Sequence, residues 1–280
     1  PLMQIVSLNT SGLIWWTLGD YPKALNELEK ALEKARDLKV RKDEIATTLN
    51  NLGLIHRESG RYEEALRLFD EALEIDRDLK SRWAVAYDLR NKALTMLKMG
   101  RMDLSIPLFS EAYETARSIG NRINEAKALL GLGEAHLSIG KPGAAEKAFN
   151  QALALARSMS MSETVWRALF GLARIRLAAD PEQAINLLFQ AVDVIEKMRA
   201  EIKIEGLKEG FIADKLSVYE LLVMLLADNG REMASFETAE RSRARNFIDL
   251  LGNQHLPLNR VVDQKRYDRE RQLRAQIEEH

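Results

Sequence analysis

Small and apolar residues recur along this chain with two spacings at once. Within short stretches they fall at i, i+4 and i+7, the stripe of an amphipathic helix. Across the chain the whole stripe returns about every 40 residues. Leu8, Leu49, Leu89, Leu129 and Leu169 hold one position, and four residues later come Gly12, Gly53, Ala93, Gly133 and Ala173. A turn signal follows each time: Gly19-Asp20-Tyr21-Pro22, Gly60-Arg61-Tyr62, Gly100-Arg101-Met102, Gly140-Lys141-Pro142 and Ala179-Asp180-Pro181. A second stripe then begins with Ala24, Ala65, Ser105, Ala145 and Ala184. It continues with Leu28, Phe69, Phe109, Phe149 and Leu188, and ends with Ala31, Ala72, Ala112, Ala152 and Ala191. The pattern predicts five helix–turn–helix units, none able to bury its own apolar face, stacked into an all-α right-handed solenoid of antiparallel helix pairs.

Glycine inside a helix costs about 1 kcal/mol against alanine. Its recurrence in the first helix of each pair therefore marks a close approach of the second helix. Gly53 is expected to meet Ala65 across that contact. Pro22, Pro142 and Pro181 fall at second-helix starts, where a missing N–H is harmless. Pro107 lies deeper and predicts a distorted first turn.

These positions, with Leu49-Asn50-Asn51-Leu52-Gly53-Leu54-Ile55-His56 and Gly60-Arg61-Tyr62-Glu63-Glu64-Ala65-Leu66 as the clearest example, resemble the tetratricopeptide repeat. The long period is similar to the variant found in kinesin light chain. The resemblance covers residues 1–198 and implies a scaffold that holds a protein or peptide.

The period breaks after residue 198. Residues 199–253 read as a degenerate sixth helix pair that closes the stack, with helices near Leu207–Ala227 and Arg231–Leu251. Residues 254–280 read as a charged helical or disordered linker, truncated at its end. The stretch from Arg199 to Leu222, with Ala239-Glu240-Arg241-Ser242-Arg243-Ala244-Arg245 and Asp249-Leu250-Leu251, resembles the junction that joins such repeats to a CHAT domain, a caspase-like protease module of bacterial proteins. That resemblance implies the recognition and regulatory part of a protease, without its catalytic part. The alternative is a stand-alone structural adaptor. Pro1 is read as a boundary inside a longer protein.

Charge changes this picture little. Lys and Arg number 41 against 42 Asp and Glu, a formal net charge of -1. A general nucleic-acid binder shows a basic excess instead. No run of 18 or more apolar residues codes a membrane span. The absence of cysteine removes disulfides, thiolate metal ligands and a cysteine nucleophile from these residues. No constellation for catalysis, no metal set and no cofactor motif stands out, so the chain is read as non-enzymatic and cytoplasmic. His56 and His136 share one repeat position two repeats apart and read as packing. Gly131-Leu132-Gly133 sits mid-helix with no strand before it, which rules out a phosphate loop. Trp16 is the plausible surface aromatic. Arg241, Arg243 and Arg245 read as a clamp to the neighbouring linker.

The candidate site is the concave groove lined by first helices. Three offsets counted back from the glycine position are placed there: Asn9, Asn50, Arg90, Leu130 and Phe170; Thr10, Asn51, Asn91, Gly131 and Gly171; Val6, Thr47, Tyr87, Lys127 and Arg167. Asparagine carries donors and an acceptor, so Asn9, Asn50, Asn51 and Asn91 are expected to pair with an extended peptide's main chain. Asn51 and Asn91 have a second reading, as bonds to the neighbouring repeat. Arg90, Lys127 and Arg167, beside Tyr87, are expected to attract acidic side chains or a C-terminal carboxylate.

Overall fold

The computed structural model describes residues 2–37, 41–202, 211 and 214–253, with side chains up to residue 242. The described residues form twelve helices and no strand. Five pairs come first: α1 Leu2–Thr17 with α2 Tyr21–Asp37, α3 Lys42–Glu58 with α4 Tyr62–Asp78, α5 Arg82–Lys98 with α6 Met102–Ser118, α7 Arg122–Ser138 with α8 Pro142–Ser158, and α9 Ser162–Arg176 with α10 Pro181–Glu201. They are followed by α11 Leu216–Asp228 and α12 Glu232–Asn253. The chain divides into two compact units, residues 1–195 and 196–280. Among the described residues no helix is long and apolar enough to cross a membrane.

In the first unit consecutive helices from α1 to α9 pack in series, and the first helices also touch along the stack: α1 on α3, α3 on α5, α5 on α7, α7 on α9. This is the helix-pair solenoid that the periodicity predicts. The turn inside each of the first four pairs reverses through a glycine with positive φ: Gly19, Gly60, Gly100 and Gly140, at 70–78°. The next amide closes the turn, as when Arg61 N–H donates to the His56 carbonyl at 2.9 Å. The turns between pairs need the same left-handed residue. Gly120 supplies it once, but Lys80 and Ser160 must adopt φ of 56° and 53°. Three second-shoulder caps are side chains: Asp20 accepts from Lys23 N–H, Asn121 from Asn124 N–H and Asp180 from Gln183 N–H, at 3.0–3.2 Å.

The large residues of the second helices are the nearest neighbours of the mid-helix glycines. A Cβ on Gly53 would lie 2.5 Å from the Phe69 ring, on Gly12 2.6 Å from Leu28 and on Gly133 2.5 Å from Phe149. The nearest neighbour of Gly53 is thus Phe69, one turn beyond the expected Ala65. Ala65 packs beside Phe69 and Leu54 instead. The same rings reach forward into the next repeat. A Cβ on Gly131 would lie 2.3 Å from the Phe109 ring, and one on Gly171 2.4 Å from the Phe149 ring. Where Ala93 replaces glycine in its own pair, Phe109 keeps its clearance from Gly131.

Helix α6 runs unbroken from Met102 to Ser118 with Pro107 inside it, so the distorted first turn is not found. Pro107 is exposed, and the carbonyl it leaves without an amide partner can face water.

In the second unit Val218, Tyr219, Leu222, Leu225 and Leu226 are buried on α11. Ser235 of α12 donates to the Val223 carbonyl at 2.9 Å, and Tyr219 donates its hydroxyl hydrogen to Glu196 at 2.7 Å. Lys215 is buried, paired with Asp214 at 2.7 Å and seated over the Phe211 ring. The readings for Arg243, Arg245, the 203–210 linker and residues 254–280 fall outside the described side chains.

Two pairs of substitutions test these contacts by chemical denaturation. Gly53→Ala should destabilise by about 1–2 kcal/mol, because the fully buried Phe69 ring cannot yield and overpacking outweighs the gain in helix propensity. Gly143→Ala, whose new methyl meets open space, should stabilise by up to about 1 kcal/mol. Lys80→Gly and Ser160→Gly should each stabilise by about 0.5–1 kcal/mol, the strain removed less the backbone entropy added.

Candidate functional site on the first helices

Positions about 40 residues apart line up across the stack, so each helix turn of α1, α3, α5, α7 and α9 contributes one row. The row Val6, Thr47, Tyr87, Lys127, Arg167 lies at the surface: Val6, Thr47 and Lys127 are exposed, Tyr87 and Arg167 half-buried. One turn earlier stand Trp83, 60% exposed, and Ile123, also exposed. Trp83 and Tyr87 stack with centroids 5.9 Å apart and planes at 5°, and the Arg90 guanidinium lies 4.8 Å over the Tyr87 ring. Sequence reasoning overlooked Trp83. Its signal was present in the register, since it stands one turn before Tyr87 and opens toward the same face.

The asparagines go elsewhere. Asn9 is buried and donates to Thr48 Oγ1 at 2.9 Å. Asn50 is 4% exposed and donates to Asp88, and Asn91, 1% exposed, donates to Asn50 Oδ1 at 2.9 Å. These three tie neighbouring first helices together through side chains. Of the expected ladder only Asn51 is half-exposed. Gly131 and Gly171 are likewise buried against rings, and Leu130 is buried while Phe170 is half-buried under Arg174.

The asparagine seam ends on an unusual acid. Asp88 is 2% exposed, and its Oδ2 meets no N–H donor. Desolvation and the nearby Asp76 carboxylate push its carboxyl up to about 8. Asp76, also buried, is raised by desolvation. Two buried carboxyls this close favour the neutral form of Asp88.

The basic residues are unequal. Arg167 is ion-paired to Glu134 at 2.8 Å, so its charge is already answered. Arg90 is not. It is 7% exposed, it donates to the neutral Asn91 Oδ1 at 3.2 Å, and its Nε finds no acceptor among the described residues. Burial holds its proton affinity below the arginine range, with the charge of Arg57 acting in the same direction. Arg57, on α3, is buried as well, and its Nη1 is also without a partner. Burial, then the charge of Arg90, lowers the Lys127 ammonium. Arg57 escaped sequence reasoning because it lies a full turn beyond the glycine from which the rows were counted.

Elsewhere, Trp15 and Trp16 are both half-buried against the Ala24–Leu28 cluster, with Lys23 over Trp15 at 4.4 Å. Desolvation lowers both His56 and His136. On the opposite face, arginines bridge successive second helices: Arg36 to Glu71, Arg77 to Glu111 at 2.7 Å and Arg157 to Gln190 at 3.0 Å. A cleft of about 380 Å³ lined in part by Arg77 lies between α4, α5 and α6, and another of about 320 Å³ lies between α6, α7 and α8.

The family model described as tetratricopeptide repeat matches residues 4–78 and 85–158. No curated protein matches the chain in sequence. Among solved structures, BtubC (BKLC) from P. vanneervenii superposes with a TM-score of 0.68 at 15% identity, over 84% of this chain and 93% of that one. Kinesin-light-chain TPR-like repeats from Podosopora anserina give 0.57 at 17%, over 70% and 97%. The Rap conjugation gene regulator of plasmid pLS20, in complex with the Phr* peptide, gives 0.61 at 16%, over 91% and 77%. At these identities the likeness is one of fold.

The buried acid pair predicts a pH dependence. A carboxyl raised in the folded state binds a proton that the unfolded chain releases, so its contribution is full below the unfolded value of 3.8 and is lost as pH rises toward about 8. Asp88→Asn keeps an acceptor for Asn50 and a donor for Asp76. It should flatten the stability–pH profile and gain on the order of 1–3 kcal/mol near pH 8, measured by urea unfolding across that range.

Proposed function

Because the chain belongs to the tetratricopeptide repeat family, we propose that it is a protein-interaction scaffold whose first-helix face holds an extended, acid-bearing segment of a partner protein. The observation that carries this reading is Arg90: a buried guanidinium with no carboxylate answering it, on the face where Tyr87, Trp83 and Lys127 stand. A buried cation left without a counter-charge is costly, and an acidic ligand removes that cost. The fold supports peptide capture by analogy with the Rap regulator, whose structure contains a peptide. Asn51 and Thr47 would contribute polar contacts along the same rows.

The finer reading is that this scaffold is the recognition part of a bacterial, cytoplasmic TPR–CHAT protease, and that its ligand is a separate protein or a downstream segment of the parent chain. The Arg199–Leu222 and Ala239–Leu251 resemblances support it. The alternative is an adaptor with no protease. The reading frame beyond His280 separates them: an α/β segment with His and Cys at protease spacing favours the first, and its absence favours the second.

Lys127 is the residue to alter first, because it is exposed and its replacement leaves the core intact. Lys127→Glu should weaken binding of an acidic peptide by at least about tenfold, and raised salt should weaken binding to the unaltered protein. Titration calorimetry against acidic and charge-neutral peptides measures both. Equal binding by the two proteins at low and high salt would move the site to the second-helix clefts.

A further inference from the structure

The second helices carry an arginine at one repeated position: Arg36, Arg77, Arg117 and Arg157. Three of these four reach the next second helix, Arg36 at Glu71, Arg77 at Glu111 and Arg157 at Gln190. Arg117 turns back along its own helix instead. Its Nη1 donates to the Tyr113 hydroxyl at 3.2 Å, with the guanidinium 5.9 Å from that ring's centroid. The difference lies in Tyr113. The other repeats carry Leu32, Leu73, Leu153 and Val192 there, and none of these has a hydroxyl to accept the bond. Across the junction Gln151 holds the place of Glu71 and Glu111, so the carboxylate of the earlier rungs is absent from this one.

This unbridged junction is the cleft of about 320 Å³ between α6, α7 and α8, which Tyr113, Arg117, Arg122 and Gln151 line together. Its apolar wall is the buried Leu129 and the half-buried Leu155. Glu125 is the one carboxylate among the described residues of that lining, and Arg122 meets it at 3.5 Å, the far edge of hydrogen-bond range. Two guanidiniums against one carboxylate leave one positive charge at the cleft.

We propose that this cleft is a docking pocket for a glutamate side chain of a partner protein, together with the apolar residue beside it. The glutamate meets Arg117 as Glu111 meets Arg77 one junction earlier, but it comes from another molecule. A guanidinium fork suits a carboxylate, and this arginine position already pairs with glutamate at two junctions. The Tyr113 hydroxyl and the Gln151 amide supply further polar groups beside it. Tyrosine and arginine around an apolar wall are the composition of an interface hot spot. The volume lies at the small end of the roughly 300–1,000 Å³ of ligand pockets, which suits a side chain and its neighbour. The cleft shares no lining residue with the first-helix rows, so this inference stands independently of the reading above. A scaffold with both sites holds two partner segments at once.

The test uses the intact chain and three probes: a blocked peptide with glutamate next to leucine, the same peptide with glutamine, and free 4-methylpentanoate. Calorimetry gives affinity, and the Arg117 and Arg122 Nε–H resonances report the cleft. The glutamate peptide should shift both resonances and bind at least about tenfold more tightly than the glutamine peptide. Arg117→Gln should lose at least about tenfold with an unchanged melting temperature. Gln151→Glu supplies Arg117 with a carboxylate from within the chain, so it should abolish the shifts while the melting temperature holds or rises. Lys127→Glu should leave the shifts intact, because that residue does not line the cleft. Equal affinity for the glutamate and glutamine peptides, or unimpaired binding by Gln151→Glu, would overturn the pocket and leave the first-helix reading standing. Loss of the shifts in Lys127→Glu would overturn the existence of a second site. The free acid binding as tightly as the glutamate peptide would overturn a protein partner as the source of the carboxylate.

Discussion

The fold depends on one steric bargain, struck between a ring and a missing side chain. Each second helix sends one large residue into the layer of first helices, and a glycine there gives up its Cβ to admit it. Phe69 uses Gly53, Leu28 uses Gly12, and Phe149 uses Gly133 and Gly171 together. Interiors are close-packed and transmit small displacements. The depth to which these residues sink therefore sets how near the first helices of successive pairs approach each other. That approach lets the charge of Arg57 act on Arg90, and that of Arg90 on Lys127, from one first helix to the next.

A second layer of constraint is polar. Asn9 to Thr48, and Asn91 to Asn50 to Asp88, cross from one first helix to the next inside the stack. A buried amide must find partners or lose about 1–3 kcal/mol, so these bonds fix the register between repeats in a way that apolar packing alone does not. Asp88 ends the chain as the acceptor for Asn50, its carboxyl pushed up to about 8 by burial. Apolar contacts thus determine how close neighbouring repeats lie, and the amide seam determines how they are aligned.

The architecture was readable from the sequence because its signal is repeated: every glycine, ring and turn residue is stated several times over at one spacing. The site was readable only in part. The rows holding Thr47, Tyr87 and Lys127 do lie on the surface. Asn50 and Asn91 were assigned to the groove because a residue is turned about 100° from its neighbour, and polarity does not distinguish a side chain facing solvent from one facing the next repeat. Gly131 and Gly171 were counted with the groove for a related reason. A glycine records that something comes close but not from which direction, and here the visitors are rings from the preceding pair. Arg57 lay beyond the counted window, and Trp83 went unremarked because it is present in one repeat alone.

The two glycines around Phe149 bear on how this array could be rebuilt. Repeat proteins are treated as modular, their units exchanged, deleted or multiplied. Here a ring is housed jointly by its own pair and by the one after it, and the housing is not uniform: Gly131 and Gly171 stand where the earlier repeats carry Asn51 and Asn91. Excising one period would therefore set an amide against a ring that expects empty space, or leave an empty space with no ring to fill it. The units look alike as text, but each junction has a lock of its own, and their order along the chain cannot be permuted.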